Sequence, residues 1–105
     1  MRVVFKYVIP MQNEFAIEMP LKAQILCGQM QRGTPCIWAL VDDQKAKEKR
    51  MFRLIGTGRF GAESEGMIYI ATFQLDAGDL VLHLFNCPSL EQPSLIAPPW
   101  AAAIP

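Results

Sequence analysis

The chain holds one histidine, His83, and three cysteines, Cys27, Cys36 and Cys87. A thiol becomes a catalytic nucleophile when an imidazole lies within hydrogen-bond reach, and a zinc site needs three or four nitrogen, sulfur or oxygen ligands. A lone histidine and widely spaced cysteines supply neither in sequence, so no catalytic residue, metal or cofactor is expected. The bland role for His83 is a strand histidine between Val81 and Phe85, hydrogen-bonded to a neighbour as buried polar groups usually are. The odd cysteine count, without close pairs, reads as reduced, partly buried thiols.

The segment Gly56-Thr57-Gly58-Arg59-Phe60-Gly61 has three glycines in six residues. Successive backbone N–H groups in such a loop can cradle an anion, with Thr57 and Arg59 adding donors, so Thr57, Gly58 and Arg59 are the candidate ligand-binding residues. The competing reading is a tight turn, because no helix follows as a dinucleotide motif requires and Gly commonly marks an unusual φ. Lys45, Lys47, Lys49 and Arg50 form a basic cluster, but Asp42, Asp43 and Glu48 dilute it into a solvated, mixed-sign run. From Pro88 onward the chain carries five of its eight prolines together with Leu95, Ile96 and Trp100, which are the candidate partner or interface residues. Proline pre-extends such an arm and lowers the entropy cost of docking, either on its own domain or on a neighbouring subunit.

The elements behind these residues read as strands. Val3 to Ile9, Phe15 to Met19, Ala23 to Met30, Thr34 to Val41, Met51 to Ile55, Met67 to Leu75 and Leu80 to Phe85 are short β-prone runs, several alternating with a period of two. Arg32-Gly33 as a two-residue hairpin loop puts Gln31 opposite Thr34, Cys27 opposite Trp38 and Cys36 opposite Gln29, which disfavours a Cys27 to Cys36 disulfide. Trp38, beside Cys27, is expected in the core. Asp42 to Arg50 reads as an exposed connection with room for one helical turn. Met67 to Leu75 alternates Met67, Tyr69, Ala71, Phe73 and Leu75 on one face against Ile68, Ile70, Thr72 and Gln74 on the other, is apolar on both faces over its first half and is therefore expected to be central. The expected fold is mainly β, an antiparallel β-sandwich or small β-barrel of about seven strands, with a β domain over 1–87 and an extended proline-rich arm over 88–105.

Composition narrows the function. With 105 residues, 51% of them hydrophobic, the chain can bury one core and no second. Ten basic residues balance ten acidic ones, so neither the positive excess of a non-specific nucleic-acid binder nor the negative excess of a DNA mimic is present. Lys6, Glu18, Arg53 and Gln74 break the apolar runs well short of the roughly 20 residues that cross a bilayer. Met1 to Ile9 reads as a strand and not as a signal peptide. A cytoplasmic location with no membrane partner is expected.

Several strings together resemble a family of small uncharacterised proteins encoded by bacteriophages and prophages: Phe5-Lys6-Tyr7, Ile25-Leu26 with Gln29 and Gln31, Pro35-Cys36-Ile37-Trp38-Ala39-Leu40-Val41-Asp42, Phe52-Arg53 to Gly56-Thr57-Gly58, and Thr72-Phe73-Gln74 with Leu80-Val81 and His83. The resemblance covers about residues 3–86. It departs at Arg59, where the family pattern has a histidine, so no role of that histidine is carried over. The resemblance implies a viral origin and the cytoplasm of an infected bacterium as the place of action. The leading expectation is a non-enzymatic protein that binds and inhibits or modifies a host protein, a host-defence component being one candidate, and forms a homo-oligomer. Two alternatives stand beside it: sequestration of a nucleotide-type phosphorylated signal at an oligomer interface, and a small hydrolase.

Overall fold

The computed structural model describes residues 1–59 and 66–91. Seven strands follow in chain order: β1 (Arg2–Val8), β2 (Glu14–Pro20), β3 (Gln24–Gln31), β4 (Thr34–Asp42), β5 (Lys47–Gly56), β6 (Ile68–Leu75) and β7 (Leu80–Asn86). They form two antiparallel sheets, one ordered β1-β4-β3 and the other β2-β5-β7-β6. The described residues therefore form an open sandwich and no closed barrel.

Alternation decides what lies inside. Ile37, Ala39 and Val41 on β4 face Phe15 and Met19 of β2, Phe52 and Leu54 of β5, Ala71 and Phe73 of β6 and Leu84 of β7. Phe15 and Phe52 are cross-strand partners whose rings stack with centroids 5.5 Å apart. Burying each ring contributes about 1.5–3 kcal/mol. The β3–β4 hairpin turns on Arg32 and Gly33, both at positive φ, as a type I′ loop demands. Its register is Gln31 opposite Thr34, Cys27 opposite Trp38 and Gln29 opposite Cys36, the expected pairing, and all three cysteines are free.

Four expectations need correction. Lys47 to Arg50 is not part of a connection but the first half of β5, where Lys49 lies opposite Glu18 and Lys47 opposite Pro20. Opposite charges across a ladder stabilise a polar edge pair, and the run is polar because one of its faces is wet. Trp38 is half-buried on the outer face of its sheet, since Ile37 and Ala39 take the inward positions. β6 is an edge strand and β7 is central. Finally, Tyr69 does not share the face of Phe73: an irregularity between Tyr69 and Ala71 inserts Ile70, so Tyr69 stands opposite Phe85 while Ala71 stands opposite inward-facing Leu84.

Candidate functional site

The two sheets touch most closely where β3 crosses β6. A Cβ on Gly28 would lie 2.7 Å from the Ala71 Cβ and 3.0 Å from Phe73 Cζ, so only glycine fits the crossing. Immediately before it, both strands are irregular: β3 shifts register between Ile25 and Cys27, and β6 between Tyr69 and Ala71. A bulge leaves one extra residue and bends its strand. The extra residues, Leu26 and Ile70, both line the cleft that opens there, a space of about 260 Å³ bounded also by Ile25, Ile68, Tyr69, Arg50 and Asn86. Its rim is apolar and wet, with Leu26 47%, Ile68 56% and Tyr69 57% exposed. Among the described residues, β3 and β6 each pair on one side only, so two strand edges flank the opening.

The polar floor of this cleft is a clasp between the sheets. Arg50 shares the inward parity of Phe52 and Leu54, and an inward arginine must find acceptors. Its Nη1 donates to the Ala23 carbonyl at 2.9 Å and its Nη2 to Asn86 Oδ1 at 3.0 Å, while Nε lies 3.6 Å from Glu91 Oε2. Asn86 Nδ2 donates to the Met51 carbonyl and to Glu91 Oε2, each at 2.8 Å, and the Met51 N–H donates to the same carboxylate oxygen at 2.9 Å. The chain after β7 makes a 3₁₀ turn over Pro88–Leu90 that brings Glu91 back to β5. Sequence reading missed Arg50, Asn86 and Glu91 in this role, and missed Leu26, Ile68 and Tyr69 as a rim. The available signal was Arg50 two residues before Phe52, on the core-facing parity of a strand.

The outer face of the four-stranded sheet holds a second polar group. Thr57 Oγ1 lies 2.8 Å from His83 Nε2, His83 Nδ1 lies 3.0 Å from Thr72 Oγ1, and Thr72 Oγ1 lies 2.7 Å from Tyr69 Oη. A neutral imidazole has one donor and one acceptor nitrogen. With Nε2 protonated, Tyr69 donates to Thr72, Thr72 to His83 and His83 to Thr57; with Nδ1 protonated, Thr57 donates to His83 and His83 to Thr72. Both nitrogens of His83 are engaged by threonines, and two of the three cysteine thiols bond elsewhere, Cys36 Sγ to the Thr34 carbonyl and Cys87 Sγ to that of Phe85. Burial pushes the Cys87 thiol above its usual value, which suppresses the thiolate that nucleophilic chemistry requires.

Thr57, Gly58 and Arg59 belong to a four-residue turn closed by the Arg59 N–H on the Gly56 carbonyl at 3.0 Å, with Gly58 at φ 76°. Thr57 reaches His83 on the outer face, and a Cβ on Gly56 would meet Arg59 Cγ at 3.1 Å, so the stem of Arg59 lies close over Gly56. Phe60 and Gly61 of the glycine segment and the arm residues Leu95, Ile96 and Trp100 lie outside the described residues. No described helix is long and apolar enough to cross a membrane.

No curated protein and no solved structure matches the chain. A family profile described as "Domain of unknown function (DUF7352)" matches residues 1–94, which spans all seven strands and the Glu91 clasp, and the chain belongs to that family.

Proposed function

We propose that this protein is a non-enzymatic binding module, encoded by a bacteriophage or prophage, that inhibits or modifies a host protein by occupying its surface. The observation that carries the reading is the cleft between β3 and β6, whose rim of Leu26, Ile68 and Tyr69 stays exposed although the chain buries a full core beside it. Clustered exposed apolar side chains mark interaction sites far more often than single ones do. Two bulges from different strands deliver residues to one opening, and bulges recur where a side chain must be re-aimed. At about 260 Å³ the cleft is smaller than the roughly 300–1,000 Å³ that engulf a small-molecule ligand, which favours an inserted side chain of a protein partner. The balanced charge and the resemblance to phage-encoded proteins support the same reading.

The test is comparative affinity capture from a bacterial lysate. Wild type should recover a defined protein that Leu26→Glu/Ile68→Glu, folded by circular dichroism, does not. Equal recovery by both would reject the cleft as the recognition surface.

A further inference from the structure

We infer that β1 is a dimerisation edge, pairing antiparallel with β1 of a second copy about a two-fold axis at Phe5 and joining two three-stranded sheets into one. The backbone sets this up. Ile9 N–H donates to the Pro35 carbonyl at 2.9 Å and Asp43 N–H to the Met1 carbonyl at 3.1 Å, one at each end of the β1–β4 ladder. Hydrogen-bonded pairs alternate along an antiparallel ladder, so Val3, Phe5 and Tyr7 between these ends bond to β4. Arg2, Val4, Lys6 and Val8 turn their N–H and C=O groups to the other side, where no described strand pairs with them. Such a row is a template for a further strand.

The other sheet edges are blunted and this one is not. β3 and β6 are bulged, and β2 carries Glu14 and Glu18 and ends in Pro20. β1 keeps an uninterrupted register from Arg2 to Val8. Apolar side chains flank it on both faces: Val4 and Val8 are 53% and 56% exposed on the outer face, and Phe5, inward with Ala39, is still 40% exposed. A lysine on an edge usually repels a second strand, but Lys6 Nζ reaches back across β4 to Gln31 Oε1 of β3 at 2.8 Å.

Charge selects the occupant and its register. A two-fold axis perpendicular to the sheet keeps inward residues opposite inward ones, so the allowed registers differ by steps of two residues. Centred on Phe5, the axis sets Arg2 opposite Val8 of the other copy, Val3 opposite Tyr7, Val4 opposite Lys6 and Phe5 opposite itself. No like charges meet. Centred on Val4 it would set Arg2 against Lys6, and centred on Lys6 it would set that residue against itself, and directly opposed like charges destabilise a ladder. The edge is thus complementary to itself, as an interface between identical copies requires. Phe5 falls at a non-hydrogen-bonded pair, the closer of the two kinds, so the two rings cover each other. β1 and β3 are opposite edges of one sheet, which leaves the cleft open and makes the dimer independent of the proposed function.

The experiment is size-exclusion chromatography with light scattering on the full chain across a dilution series. A mass twice the 11.8 kDa of the chain is expected at high concentration, and the mass of one chain throughout would overturn the proposal. Val4→Pro removes an N–H aimed at the second copy while leaving the bonds to β4 in place, so it should give a monomer with the circular dichroism of wild type. A folded Val4→Pro dimer would overturn the β1 interface. Amide exchange on the wild type needs no variant: the Val4, Lys6 and Val8 N–H groups should be protected in the dimer and lose protection on dilution. Unprotected edge amides in a dimer would also overturn it. The register is checked with Phe5→Cys/Cys27→Ser, since Cys36 and Cys87 are buried. Cα atoms at a non-hydrogen-bonded pair lie about 4.5 Å apart, within the span of a disulfide, so diamide, which takes up the two thiol hydrogens, should give a covalent dimer. Failure to cross-link would overturn the Phe5-centred register.

Discussion

The same two strands, β3 and β6, behave in opposite ways a few residues apart. At Gly28 and Ala71 they approach until no methyl group can be added, whereas at Leu26 and Ile68 they part and leave about 260 Å³. Sheet twist makes the faces of a sandwich diverge toward its corners. Here the change is abrupt because each strand takes one extra residue between the two regions, which bends it and redirects its side chains. Contact at the crossing is what allows the corner to stand open without collapsing. The difference teaches that an exposed apolar rim can be a fixed feature when a glycine holds the sheets together beside it.

The sharpest way to break this contrast is to fill the crossing. Gly28→Ala forces a methyl against the Ala71 Cβ, and overpacking of this kind should cost about 2 kcal/mol, seen as a lower urea midpoint. Adding Ala71→Gly in the same chain should recover most of that loss, and a double variant no more stable than Gly28→Ala would deny that the two residues meet. Next in size is Asn86→Ala, which leaves the Arg50 guanidinium, the Met51 carbonyl and the Glu91 carboxylate each short of a partner and should cost about 2 kcal/mol or slightly less. The rim should respond far less: Leu26→Glu/Ile68→Glu should stay within about 0.5 kcal/mol of wild type per site, as exposed positions usually do. A large loss there would mean that the cleft is part of the core and not a recognition surface.

The smallest effect is a pH dependence. Cys87 titrates above its usual value of 9.0 because it is buried. Below that value the thiol is neutral in both folded and unfolded chains and contributes no difference. Above it the unfolded chain ionises first, so stability should decline as pH rises from about 9 toward the folded-state value, and Cys87→Ala should flatten that slope. Alkylation offers a parallel check, with exposed Cys27 modified in the native protein well before buried Cys36 and Cys87.

How much of this was legible follows from what alternation can encode. Ile37, Ala39 and Val41 declare an inward face, and the Arg32-Gly33 loop fixes the register that sets Cys27 against Trp38. The same rule, followed without interruption, put Tyr69 on the wrong face, because a bulge adds one residue without changing the apolar character of the run. Trp38 was misplaced by its size and its apolar neighbour Cys27, because Cys36, Trp38 and Leu40 make the outer parity of β4 as apolar as the inner one. The Arg50 clasp was hidden inside a charge run whose solvated members, Lys47 and Lys49, alternate with it. The cleft could not be read at all, since it is made by two irregularities about forty residues apart that become neighbours only when the sheets cross. For Thr57, adjacency in the chain suggested Gly58 and Arg59 as its companions, while its hydroxyl lies 2.8 Å from His83 Nε2, a partner 26 residues away that only strand pairing brings near.

The Glu91 clasp also sets how the domain carries load. Tension applied to the C-terminal arm arrives first at Glu91, which passes it to the Met51 backbone of β5, to Asn86 at the end of β7, and through Arg50 to the Ala23 carbonyl at the entrance of β3. Both sheets are engaged together, so the bonds at this corner share the force instead of failing one after another from the chain end. A partner that pulls on the arm would therefore be tugging on the whole sandwich.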